Sequence, residues 1–210
     1  MPATTRKLAA IVFTDIVGFT KLTAKNEPAA LKLLEKQREL LKPIVKSYNG
    51  KWLKEIGDGL LLSFKTNIDA VECAIKIQGE VRSVDNLDLR IGIHQGEVVF
   101  QGGDVIGDDV NIASRIEPFS APGGIAVSDR VNASLERDPD FKTVYLSKPQ
   151  FKGVSQQVSV YCIVSHGLPE TELSQVSAKL EKNKKNGFKW NAIQILGVCL
   201  LYTSDTADKQ

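Results

Sequence analysis

The chain is poor in the residues that staple or ligate. It has three cysteines in 210 residues, Cys73, Cys162 and Cys199, and two histidines, His94 and His166. Cysteines so widely spaced give neither a disulfide framework nor a structural zinc site, and the domain reads as cytosolic. Excess charge of either sign is also missing. The formal net charge of +2 is too small to indicate nucleic acid from composition alone. No leader-like segment opens the chain, since Met1 to Lys7 runs directly into a β-like stretch. An uninterrupted apolar run of the ~20 residues that a membrane helix needs is absent too. What remains is 42% hydrophobic and 25% charged, enough for a buried core of one ordinary domain with something added.

The order of elements is readable from periodicity. Leu8 to Asp15 is short, apolar and β-branched at its centre, which predicts a buried strand. From Glu27-Pro28 to Ser47, leucines at helical spacing predict a long helix, stopped at Tyr48-Asn49-Gly50. Lys51 to Ile56 and Leu60 to Phe64 predict a hairpin about Gly57-Asp58-Gly59. A second helix follows over Ile68 to Val81, then a long strand from Leu87 to Phe100. Asp108 or Asp109 is expected to cap a helix through Asn111 to Phe119. A strand at Ile125 to Val127, a short helix from Asp129, and strands at Phe141 to Leu146 and Val158 to Val164 complete the pattern. The expected fold is an α/β (α+β) sandwich: a ferredoxin-like βαββαβ mixed sheet with helices on one face.

Two carboxylates stand out. Asp15 leaves the end of a buried strand just before a turn through Gly18, where backbone N–H groups can face a polyphosphate beside a bound cation. Asp58 sits at a hairpin tip, where it is either a plain turn aspartate or a second ligand for a metal pair. Asn111 and Arg115, four apart, share one face of their predicted helix. His94 is expected to have a structural role on its strand rather than a metal-binding one.

Four segments occur in order: Phe-Thr-Asp-Ile-Val-Gly-Phe-Thr (13–20), Lys-Glu-Ile-Gly-Asp-Gly (54–59), Arg-Ile-Gly-Ile-His-Gln-Gly (90–96) and Gly-Asp-Val-Ile-Gly-Asp-Asp-Val-Asn-Ile-Ala-Ser-Arg (103–115). Together they resemble the class III adenylate/guanylate cyclase catalytic domain, over roughly Lys7 to Val164. The resemblance implies that Asp15 and Asp58, with the Ile16 carbonyl, hold two divalent cations, Mg²⁺ or Mn²⁺. It implies that the backbone from Val17 through Gly18, Phe19 and Thr20 cradles the β- and γ-phosphates and that Arg90 reaches the triphosphate. Lys54 and Asp104 match the pair that reads the purine, and favour ATP over GTP by their donor and acceptor pattern. Asn111 would orient the ribose and Arg115 would stabilise charge on the reacting phosphorus. Lys152, in Phe151-Lys152-Gly153, matches a lysine near the phosphates less closely. The implied product is cyclic AMP, made in a homodimer with shared sites. The alternatives are a guanylate cyclase or a nucleotide-binding regulatory module without catalysis.

The catalytic domain is expected over residues 1–164, and a Lys-rich linker over 165–187. Residues 188–198 read as the start of a truncated membrane span, because lysines and Trp190 flank the apolar run. That reading would tether the domain to the inner face of the plasma membrane. Residues 199–210 resemble the translated end of a transposon adapter used in sequencing libraries and are read as foreign sequence. The alternative is an amphipathic tail packed on the domain, and neither reading bears on function.

Overall fold

The computed structural model describes residues 5–101, 104–151, 154 and 156–176. The first half builds a four-stranded antiparallel unit. β1 (Thr5–Ile16) is followed by the short helix α1 (Phe19–Lys25) and the long helix α2 (Glu27–Ser47). The hairpin β2 (Lys51–Ile56) and β3 (Gly59–Phe64), helix α3 (Asn67–Val81) and strand β4 (Leu89–Gln101) follow. The sheet order β2-β3-β1-β4, antiparallel throughout, is the ferredoxin-like arrangement. β5 (Asp104–Ile106) folds back on the end of β4, and α4 (Asp108–Ile116) runs into a single 3₁₀ turn, Glu117–Phe119. β6 (Ile125–Ser128) then pairs parallel with β4. α5 (Asp129–Leu135), β7 (Thr143–Ser147) and β8 (Val160–Ile163) finish the sheet as β6-β8-β7.

Local chemistry explains the long helix. The Asn26 side chain accepts from the Ala29 N–H at 3.1 Å, and Pro28 lies in the first turn, where its missing N–H costs nothing. The Thr66 hydroxyl caps α3 in the same way, accepting from the Asp69 N–H. α2 and α3 then bury Leu33, Leu41, Val45, Val71, Ala74 and Ile77 against the Ala10, Val12, Leu60, Leu62, Ile91 and Ile93 face of the sheet. Each such leucine, valine or isoleucine side chain is worth about 1.5–3 kcal/mol when fully buried.

The α/β sandwich on a mixed sheet is as expected, with one exception to helices on one face. Both faces of β1 are apolar, so Ala9 and Ile11 need a cover of their own. α4 supplies it on the opposite side, packing Ala113 and Val110 over Ala9, Ile11, Leu61 and Val98. α4 is also capped differently from expectation. Its N-cap is Gly107, with no side-chain cap bond, and Asp109 turns back towards β4 instead of capping.

Packing continues beyond residue 164. Leu168 is buried in the main core, and the Thr171 hydroxyl accepts the Ala121 N–H at 3.0 Å. Residues 177–210, and with them the membrane-span and adapter readings, lie outside the described residues. Among the described residues, no helix is long and apolar enough to cross a membrane.

Candidate active site

β1 and β4 run antiparallel with Asp15 opposite Arg90, so register alone places an acid beside a base at the end of the sheet. Their side chains meet, Arg90 Nη2 lying 2.6 Å from Asp15 Oδ2. The β2–β3 hairpin brings in the second acid. Ile56 pairs with Gly59, leaving a two-residue turn in which Gly57 takes a positive φ of 63° and Asp58 stands at the tip. Asp58 Oδ2 accepts the Ile16 N–H at 3.1 Å, which ties the hairpin tip to the end of β1.

The two carboxylates are therefore neighbours. Burial raises the Asp58 carboxyl above its ordinary value, and the charge of Asp15 beside it raises it further. Paired oxygen donors with excess negative charge suit a hard divalent cation. Mg²⁺ in particular is usually held by one or two carboxylates together with substrate phosphates. Among the described residues, no ready-made group of three or more metal-ligating side chains exists. The pair of carboxylates fits a hard divalent cation.

A residue missed from sequence completes the cluster. Glu117, at the start of the 3₁₀ turn after α4, accepts from Arg90 Nε at 2.7 Å. Arg90 thus bridges Glu117 and Asp15. Glu117 is pushed up to about 7, chiefly by burial; the Arg90 guanidinium works against that, and the charges of Asp15 and Asp58 add to it. Gly92 is what lets this turn approach, since a Cβ there would lie 2.3 Å from the Glu117 backbone nitrogen. The sequence signal that could have found Glu117 is a single charged residue in an otherwise apolar Ile116 to Phe119 run.

The remaining expected residues fall into place unevenly. Gly18 is the N-cap of α1, and Phe19 and Thr20 lie in its first turn, where a helix leaves N–H groups without intrahelical partners. Val17 is a correction to the phosphate cradle, because its N–H donates to the Asp88 carbonyl at 2.9 Å. Lys54 follows a bulge in β2 and pairs with Leu61, which puts it on the α4 face of the sheet. Asn111 and Arg115 share α4, with Arg115 Nη1 donating to the Asn111 carbonyl at 2.9 Å. Asp104 opens β5 opposite Gln101, its side chain lying outside what is described; Lys152 lies outside the described residues altogether. His94 is fully buried on β4, as a structural role requires.

A ferredoxin-like sheet extended by a parallel strand, with paired carboxylates where β1 meets a hairpin tip, defines a nucleotide-cyclase type of domain. Residues 1–165 match the family described as "Adenylate and Guanylate cyclase catalytic domain", and the chain belongs to that family. It is 32% identical over 164 residues to "Putative adenylate cyclase 3" of Rhizobium meliloti, covering 74% of this chain and 28% of that protein. An "Adenylate cyclase" of Streptomyces coelicolor is 31% identical over 137 residues, covering 64% of this chain and 36% of the relative. The chain therefore spans roughly a third of these relatives. Among solved structures, an adenylate/guanylate cyclase/hydrolase from Silicibacter pomeroyi is 31% identical, with a TM-score of 0.72 over 80% of this chain and all of that one. The adenylyl cyclase CyaB from P. aeruginosa is 26% identical, with a TM-score of 0.70 over 78% of this chain and 96% of that one.

Proposed function

We propose that the domain converts ATP to 3′,5′-cyclic AMP and pyrophosphate. The observation that carries this reading is the meeting of Asp15 and Asp58, with Asp58 held by the Ile16 N–H and its carboxyl raised by burial and then by its neighbour's charge. Asp15, Asp58 and the Ile16 carbonyl are the groups that would hold two divalent cations, Mg²⁺ or Mn²⁺. When bound, such ions supply the positive charge that eases loss of the ribose 3′-hydroxyl proton and steadies the triphosphate.

The chain's own residues do the rest. Gly18, Phe19 and Thr20 offer backbone N–H groups to the terminal phosphates, and Arg90 turns its guanidinium to the same oxygens. Lys54 donates to adenine N1, and Asp104 accepts from the exocyclic amine; guanine presents the opposite pattern. Asn111 orients the ribose. Arg115 stabilises the charge that grows on the α-phosphoryl group as the 3′-oxygen bonds to phosphorus and the bond to the β-phosphate oxygen breaks in line. The proton leaves to solvent, and no side chain is assigned as base. Lys54, Asn111 and Arg115 are assigned to one protomer and the carboxylates to another, so that two chains make two equivalent sites. Membrane attachment through residues 188–198 is a separate proposal that rests on the Lys-Trp flank alone.

Purified protein incubated with ATP or GTP and either cation, with products identified by mass, is the direct test. Cyclic AMP is expected from ATP, and Asp15→Ala is expected to abolish it while the far-UV spectrum stays folded. Unchanged turnover in Asp15→Ala would remove the metal assignment. Cyclic GMP as the main product would favour the guanylate reading instead.

A further inference from the structure

Asp109 sits in the first turn of α4, two residues before Asn111, where an acid would ordinarily cap or face solvent beside the helix dipole. It does neither. Its Oδ2 accepts the Glu97 N–H at 2.8 Å, and its Oδ1 lies 3.0 Å from His94 Nε2. Both partners belong to β4. Arg130 of α5 adds a more distant contact, Nη1 lying 3.8 Å from the same Oδ1, while also donating to the Gln95 carbonyl. Between His94 and Glu97 the chain carries Gly96. A Cβ at that position would lie 2.0–2.4 Å from the Asp109 carboxyl and its Cβ. The strand is notched where the helix presses its carboxylate in.

His94 is fitted to this contact. It is 0% exposed, and its Nδ1 has no hydrogen-bond partner. A neutral ring with its hydrogen on Nε2 satisfies Asp109 and leaves a bare acceptor on the other nitrogen. A charged ring would bury an unpaired N–H. The ring therefore serves as a neutral donor aimed at one carboxylate oxygen.

The rest of the α4 seat is apolar: Ala113 and Val110 over one part of the sheet, Ile112 and Ile116 over another. Apolar contact is non-directional and holds a helix down without fixing its rotation or its slide along the strand. Hydrogen bonds to Asp109 are directional, and they act within one turn of Asn111 and two turns of Arg115.

We propose that Asp109 is a positioning residue for the reaction: locked to His94 and the Glu97 N–H in the notch at Gly96, it sets the register of α4 on β4 and so aims Asn111 and Arg115 at the substrate. This rests on the roles given to Asn111 and Arg115 above. Displacing a transition-state group by about 1 Å can cost on the order of 100-fold in turnover without weakening ground-state binding.

The test is steady-state kinetics on the whole chain with ATP and Mn²⁺. Asp109→Ala is expected to lower kcat about 100-fold while KM for ATP stays within about threefold. Asp109→Asn keeps an oxygen for the Glu97 N–H but sets its amide N–H₂ against the His94 Nε2–H, donor against donor, and is expected to lower kcat about tenfold at unchanged KM. Should Asp109→Ala not fold, His94→Leu removes only the ring donor, and a loss of about tenfold in kcat at constant KM is expected. Wild-type kcat in Asp109→Ala, a rise in KM that accounts for the loss, or wild-type kcat in the Asn variant would overturn the proposal. A wild-type chain that makes no cyclic nucleotide would overturn the cyclase reading as well, whereas an active wild type beside an unaffected Asp109→Ala defeats the positioning role alone.

Discussion

Glu117 is ion-paired to Arg90, yet its proton is held to about 7, because burial outweighs the guanidinium. In an unfolded chain the same carboxyl titrates near 4.5. Between those values the folded protein binds more protons, so the stabilisation present below about 4.5 is lost as the pH rises through about 7. Glu117→Gln cannot titrate and should flatten that decline. Urea midpoints measured from pH 4.5 to 8 decide it, and parallel curves for the two proteins would refute the assignment. The same residue shows what single residues disclose in advance. Asp15 and Asp58 carry recognisable neighbours along the chain, so they are legible. The importance of Glu117 lies in its register against Gly92 and Arg90, residues far away in sequence that only the fold brings near.

α2 is the clearest case of an element whose sequence, cap and burial agree. Leu41 is fully buried towards its C-terminal end, against the core that also holds Val12 and Leu62. Leu41→Ala should cost about 2–5 kcal/mol, read as a lower denaturant midpoint at unchanged m. A loss under about 1 kcal/mol would mean that the helix end is not anchored as described. Strands and helices with strong periodicity were legible: the hairpin, α2 and α3 fall within a residue or two of expectation. α1 and β5 were not. α1 has seven residues, none buried, and β5 has three residues paired with the end of β4, so neither is long enough to leave a periodic apolar pattern. The face taken by α4 was also hidden, because it follows from β1 being apolar on both sides rather than from α4 itself.

For the molecule as a whole, the proposed site residues fall into two groups. Asp15, Asp58, Arg90 and Glu117 touch at the sheet end, whereas Asn111 and Arg115 share the exposed side of α4. If two protomers share each site, Asp15→Ala and Arg115→Ala damage different halves of it. Mixing the two inactive proteins should then restore about a quarter of wild-type activity, since half of randomly paired dimers are mixed and each of those has one intact site. A mixture as inactive as its components would place both groups in one chain's own site. Beyond the last strand the chain is still fastened: Leu168 is buried, and Thr171 accepts the N–H of Ala121, four residues after Glu117. A pull on the backbone at Thr171 would therefore load the segment just after the turn whose glutamate accepts from Arg90. If Arg90 reaches the triphosphate as proposed, a pull past Thr171 would bear on that guanidinium without touching the nucleotide.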